Sequence, residues 1–178
     1  MKVIFLDVDG VLNNLEDILH HPEMESPEQP QDKHLQVLKK IIDATGAEVV
    51  VSSGWRMTLE GIQDVIDALW KYGIAIRGVT PEGCQISLFD QLFPEIKPQN
   101  VDTWRSKLDR VVYDRGAEIA SWLYKYRNEI ESFLILDDEV FDIQKYYPDH
   151  YIKTDPNEGL VDKYIDEAIK ILNLTSIK

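Results

Sequence analysis

Cysteine is almost absent from this sequence. Cys84 stands alone, so no internal disulfide can form and no thiolate metal cluster can be built, which fits a reducing compartment, the cytosol. A basic surplus is also absent: 19 lysines and arginines face 32 acidic residues, for a formal charge of −13. Such a chain repels nucleic-acid phosphates and anionic membranes unless basic groups are locally concentrated. Long apolar runs are missing too. Before Asp7 there is only Val3 to Leu6, far short of a signal peptide's apolar region or a membrane span, so neither export nor a membrane partner is expected. No internal repeat or low-complexity tract is present.

What is there suits one folded domain over residues 1–178. The 44% hydrophobic content supplies a core, and the length is too small for two full-sized domains. Strand-like apolar runs recur at Val3 to Val8, Glu48 to Ser52, Ile74 to Val79, Phe133 to Leu136 and Tyr151 to Thr154. Helical stripes lie between them. Leu35, Leu38, Ile41 and Ile42 form one ending at Gly46; Leu59, Ile62, Val65, Ile66, Leu69 and Trp70 form another, capped by Gly73; Ile119, Trp122, Leu123 and Tyr126 form a third behind Asp114 as N-cap. The last helix carries Tyr164, Ile165, Ala168, Ile169 and Leu172. Alternating strands and helices, with strands apolar on both faces, predict a three-layer α/β domain around a five-stranded parallel sheet of order 3-2-1-4-5. Two stretches break the alternation. Residues 14–32 hold six acidic residues, no lysine or arginine, and Pro22, Pro27 and Pro30, and read as a flap or loop. Residues 80–109, broken by Pro81, Pro94 and Pro98, read as a small irregular insertion.

In an open parallel sheet ligands bind beyond the carboxyl ends of the strands. There the sequence places Asp7-Val8-Asp9-Gly10, Ser52-Ser53-Gly54, Asp137-Asp138 and Lys153-Thr154-Asp155. Four carboxylates following two buried strands repel one another unless a cation or shared protons compensate them. All the candidate ligands are oxygens, which favours magnesium over zinc. A carboxylate can also attack phosphorus and form an aspartyl-phosphate that water hydrolyses. Asp7 and Asp9 suit that division of labour, one attacking and the other handling protons, while Ser53 and Arg115 hold the phosphoryl oxygens.

Val3 to Asn13, with Asp7-Val8-Asp9-Gly10 at its centre, resembles the first motif of the haloacid dehalogenase (HAD) superfamily. Val49 to Gly54 resembles the second motif, a strand ending in serine, and Leu134 to Asp138 the fourth, a strand ending in paired aspartates. The third needs a lysine or arginine ahead of that strand, and Arg115 is the candidate. Ser53-Gly54-Trp55-Arg56, Arg115 to Leu123, Asp137-Asp138-Glu139 and Thr154-Asp155-Pro156 with Gly159-Leu160 are most similar to the HAD domain of Swiss Army Knife RNA repair proteins. Val11 departs from the usual threonine. The resemblance implies Asp7 as nucleophile and metal ligand. Asp9 is implied as proton donor, then as base, offering its backbone carbonyl to the metal. Asp138 is the preferred third ligand with Asp137 next, Ser53 and Gly54 receive the phosphoryl group, Arg56 borders the substrate pocket, and Mg2+ is the cofactor. The implied activity is a phosphatase of minimally capped type, open to a nucleotide or a phosphorylated nucleic-acid end. Lys97, Arg105, Lys107, Arg110 and Arg115 against Asp102, Asp109 and Asp114 give a slight local positive balance that could guide such an end, or simply a solvated face. A receiver-like phosphoacceptor and a catalytically silent scaffold are the alternatives; the first lacks an aspartate after strand three, where Gly78-Val79-Thr80-Pro81 stands. His20, His21, His34 and His150 show no ligand spacing and are expected to be solvated, while Trp55, which follows the second motif, is expected to border the pocket or, by default, to serve packing. Oligomeric state is not legible.

Overall fold

Four consecutive residues of the first strand, Val3 to Leu6, are wholly buried, and this decides the architecture. Ile4 and Leu6 join one apolar cluster and Val3 and Phe5 another, so the strand needs cover on both faces. A computed structural model describes residues 1–20, 28–104, 106–107, 109–139 and 143–174. It places β1 (Lys2–Leu6) between β2 (Glu48–Val51) and β6 (Ser132–Asp137), with β3 (Ile76–Val79) and β7 (Tyr151–Lys153) outermost, all parallel. The sheet runs β3-β2-β1-β6-β7. This is the expected spatial arrangement, but the last two strands are sixth and seventh in the chain because two short strands precede them.

On one face lie α2 (Asp32–Thr45), α3 (Leu59–Trp70) and α7 (Ile165–Leu172), contributing Leu35, Leu38, Ile41, Val65, Leu69, Ile171 and Leu172 to the larger cluster. On the other, α5 (Arg115–Tyr126) and α6 (Ile143–Tyr146) bring Ile119, Trp122 and Ile143 against Val3, Phe5 and Ile135. Phe5 meets the rings of Trp122 and Phe133 edge-on at 5.4 and 6.0 Å, the geometry aromatic quadrupoles prefer. No helix among the described residues is long and apolar enough to cross a membrane.

The 80–109 insertion is more ordered than its prolines indicated. Cys84–Gln85 (β4) pairs antiparallel with Val111–Val112 (β5), and α4 (Ile86–Leu92) follows β4. Phe89, Cys84 and Val112 pack with Ala117 and Tyr146 into a third cluster, so the insertion borrows its core from the second helical layer. Burial pushes the Cys84 thiol up to about 11, leaving it protonated and inert. Arg105 lies outside the described residues. Within the 14–32 stretch, Leu15–His20 is a short helix, α1, rather than loop; residues 21–27, with His21, Pro22 and Pro27, lie outside the described residues.

Two side-chain expectations are corrected. Asp114 occupies the N-cap position of α5 but makes no capping bond. Its carboxylate instead accepts from the backbone N–H groups of Gln99 and Asn100, both at 2.9 Å, and from the Tyr146 hydroxyl at 3.0 Å, tying the insertion to the helix. His34 is not solvated: it is fully buried, with Nδ1 2.8 Å from the Leu160 carbonyl and Nε2 3.1 Å from Asn14 Nδ2. His150 stacks on Phe133 at 4.2 Å.

Candidate active site

The parallel ladder continues past the named strands and aims the polar residues. Asp7 N donates to Leu136 O (3.0 Å), Ser52 N to Leu6 O (2.8 Å), Thr80 N to Val51 O (3.0 Å) and Thr154 N to Asp137 O (3.1 Å). Five strands thus end at one edge with Asp7, Ser52, Thr80, Asp137 and Thr154 in line. Beyond β1 the chain turns back on itself, with the amides of Val11, Leu12 and Asn13 all donating to Val8 O. Gly10 takes a left-handed φ of 68° in that turn, which L side chains avoid. Its carbonyl accepts from the Thr154 hydroxyl at 2.7 Å, and Asp138 lies so close on the other side that a Cβ on Gly10 would meet it at 2.5 Å.

Asp7, Asp137 and Asp138 each offer an oxygen within 4.8 Å of the others. Burial raises the pKa of Asp7, opposed by Arg115 and by hydrogen bonding from Ser53 and Val8. Burial and then the charge on Asp7 push Asp137 up to about 8, with Arg115 working against them. Asp138 is raised by burial and by Asp7. Three crowded carboxylates all resisting ionisation form a site short of positive charge. An all-oxygen donor set of this kind fits a hard divalent cation.

One cation is built in. Arg115 Nη1 lies 3.4 Å from Asp7 Oδ1 and 3.1 Å from Asp137 Oδ2, and donates to the Ser52 carbonyl. Burial works against its charge, but Asp7, Asp137 and Glu118 outweigh that and raise its pKa further. A cation at a helix start opposes the dipole, and these contacts account for its presence there. The second oxygen of Asp137 accepts from Glu139 N at 2.9 Å, so both are taken; Asp138 is only half-buried. Ser53 is fully buried and extended, its hydroxyl accepting from Trp55 N at 3.3 Å. Ser52, also buried, receives a bond from the Thr80 hydroxyl at 3.3 Å. Gly54 is exposed at the start of a 3-10 turn over Gly54–Met57.

Arg56 lines the cleft beside Arg115, yet its guanidinium is engaged within the fold. Its side chain is 6% exposed, and it donates to Ser53 O (2.6 Å), Thr80 O (3.1 Å) and Glu118 Oε2 (2.6 Å). It serves as a brace beneath the Ser53 turn. Glu118, which sequence reasoning did not single out, completes the brace by accepting from Gly83 N at 3.0 Å. Asp9 stands apart from the carboxylate trio, its side chain turned to solvent, with Oδ1 accepting from Asn13 Nδ2 at 2.9 Å and Oδ2 from Trp55 Nε1 at 3.0 Å. Trp55 therefore does more than pack, and Asn13 is a second partner the sequence did not flag. A cleft of about 550 Å³ adjoins Arg115, lined by Met57, Gln99, Asn100, Tyr113, Glu118 and Glu139 among others.

No curated protein and no solved structure matches the chain. A sequence profile of one family does, over residues 3–165, from β1 into α7. With a Rossmann-like sheet, an acidic trio at its carboxyl edge and that profile spanning nearly the whole length, the chain belongs to the family described as the HAD domain in Swiss Army Knife RNA repair proteins.

Proposed function

We propose that the protein is a magnesium-dependent phosphatase that cleaves phosphomonoesters through a phosphorylated Asp7. The observation that carries this reading is the convergence of Asp7, Asp137 and Asp138 within 4.8 Å, with Arg115 against two of them. An Asp7 oxygen attacks phosphorus as the bond to the leaving oxygen breaks, and Asp9 gives that oxygen a proton. Asp9 then takes a proton from water as the water attacks phosphorus and the Asp7 carboxylate departs. Ser53 and Arg115 hold the phosphoryl oxygens while charge redistributes. Asp7, Asp138 and the Asp9 carbonyl, with Asp137 beside them, would hold Mg2+, which when bound screens the nucleophile from the anionic phosphate. Asp138 suits the ligand role better than Asp137, whose two oxygens are already engaged. The modest insertion leaves the site open, and a family described by RNA repair supports a nucleotide or a phosphorylated nucleic-acid end as the substrate. The cytosol is the compartment in which the lone Cys84 stays reduced. The test is phosphate release with Mg2+ from nucleotides, sugar phosphates, phosphopeptides and 5′- and 3′-phosphorylated oligonucleotides, with Asp7→Asn as the blank. Turnover confined to the wild type supports the reading, and turnover by folded Asp7→Asn refutes it.

A further inference from the structure

Asp9 is a solvent-facing aspartate in a turn, and such a side chain ordinarily samples several rotamers. Here each of its oxygens has a donor of its own, and the donors come from different parts of the chain. Asn13 Nδ2 reaches Oδ1 at 2.9 Å and Trp55 Nε1 reaches Oδ2 at 3.0 Å. Both donors are themselves fixed. The Asn13 amide is buried, its oxygen accepting from Gly10 N at 2.9 Å and its nitrogen donating also to Glu28 O at 2.6 Å. Trp55 is held at its N–H by the Ser53 hydroxyl, and its ring packs on the larger core cluster. At its carbonyl, a Cβ on Gly61 would come to 2.5 Å, so α3 closes on it with no room to spare. A carboxylate gripped at both oxygens cannot turn about its terminal torsion without breaking both bonds.

The geometry points to Trp55 and Asn13 as positioning residues that hold Asp9 in the orientation from which it protonates the leaving oxygen. This rests on the proposed role of Asp9 as proton donor. In that step the Asp7 oxygen bonds to phosphorus, the bond to the leaving oxygen breaks, and the proton on the Asp9 carboxyl moves to that oxygen. Misplacing a proton donor by a fraction of an ångström slows only reactions that need the proton. An alkoxide leaving group needs it, and a nitrophenolate does not.

The experiment compares wild type, Trp55→Phe and Asp9→Asn with Mg2+ on an alkyl monophosphate and on p-nitrophenyl phosphate. It reads kcat/KM, which ends at departure of the leaving group. Trp55→Phe keeps the ring and removes the N–H. It is expected to lose about tenfold in kcat/KM on the alkyl ester, through kcat rather than KM, and less than about twofold on the aryl ester. Asp9→Asn should lose far more on the alkyl ester with the same selectivity. If Asp9→Asn keeps alkyl-ester turnover, the role of Asp9 itself fails and the inference with it. If Asp9→Asn behaves as stated but Trp55→Phe matches wild type, or slows both esters equally, the positioning role alone is overturned. Should Trp55→Phe fail to fold, Asn13→Ser applies the same test from the other oxygen.

Discussion

Gly10→Ala tests how tightly the first-motif turn and the acidic trio are built into each other. The substitution puts a methyl group at φ 68° and within 2.5 to 2.7 Å of the Asp138 carboxylate and Cβ. Because the Asp138 Cβ is among the clashing atoms, a new rotamer cannot clear the contact and the backbone must yield. Asp138 has to retreat by about 0.9 Å, the gap between the 2.5 Å on offer and the 3.4 Å where ordinary contact begins. The left-handed conformation costs alanine about 1–2 kcal/mol, and the overpacking a further 1–3 kcal/mol or so. A loss of about 2–5 kcal/mol is therefore expected in urea denaturation without metal. Ligand positions tolerate only about 0.2 Å of error, so Mg2+ affinity by titration calorimetry should fall about tenfold or more in the folded variant. Folded Gly10→Ala that binds Mg2+ as tightly as wild type would refute both the steric argument and the place of Asp138 in the site.

The Arg56–Glu118 pair has side chains only 6% and 7% exposed, and burial raises the Glu118 pKa even against the pull of Arg56. Net attraction in such pairs is small, yet removing one partner strands the other. Arg56→Met and Glu118→Leu should each cost about 3–5 kcal/mol and the double variant far less than their sum; additive losses in denaturant melts would count against this. Burial also lowers the His34 pKa below its ordinary 6.5, so the unfolded chain takes up that proton first. His34 thus contributes stability that is intact above pH 6.5 and is lost as pH falls below it, with a slope approaching about 1.4 kcal/mol per pH unit. The stability difference between wild type and His34→Gln should shrink between pH 7.5 and 5.5, and a constant difference would contradict the burial argument.

The sheet was legible because its three inner strands are buried on both faces and stand out as apolar runs; Val49 to Val51 and Phe133 to Leu136 need no periodicity to be found. The acidic trio followed from where those runs stop. The hairpin strands β4 and β5 were not legible, because two residues on each side, separated by 25 others, leave no pattern. His34 carried a signal that went unused: with Leu38 and Ile41 it falls on the buried stripe of α2. Trp55, Asn13 and Glu118 were missed for a different reason. Their roles lie in partners 46, 4 and 62 positions away, and pairing of polar groups across a fold is a property of packing rather than of spacing.

The central position of β1 also sets an order of events for a chain leaving the ribosome. Asp7 precedes both of its fastenings: the strand before it pairs on one side with β6, and the turn after it is fastened by Thr154. Until some 130 residues have followed, one edge of β1 stays open, the kind of surface that recruits other chains. Asp7 therefore waits for about 130 further residues before Asp137 and Asp138 can reach it.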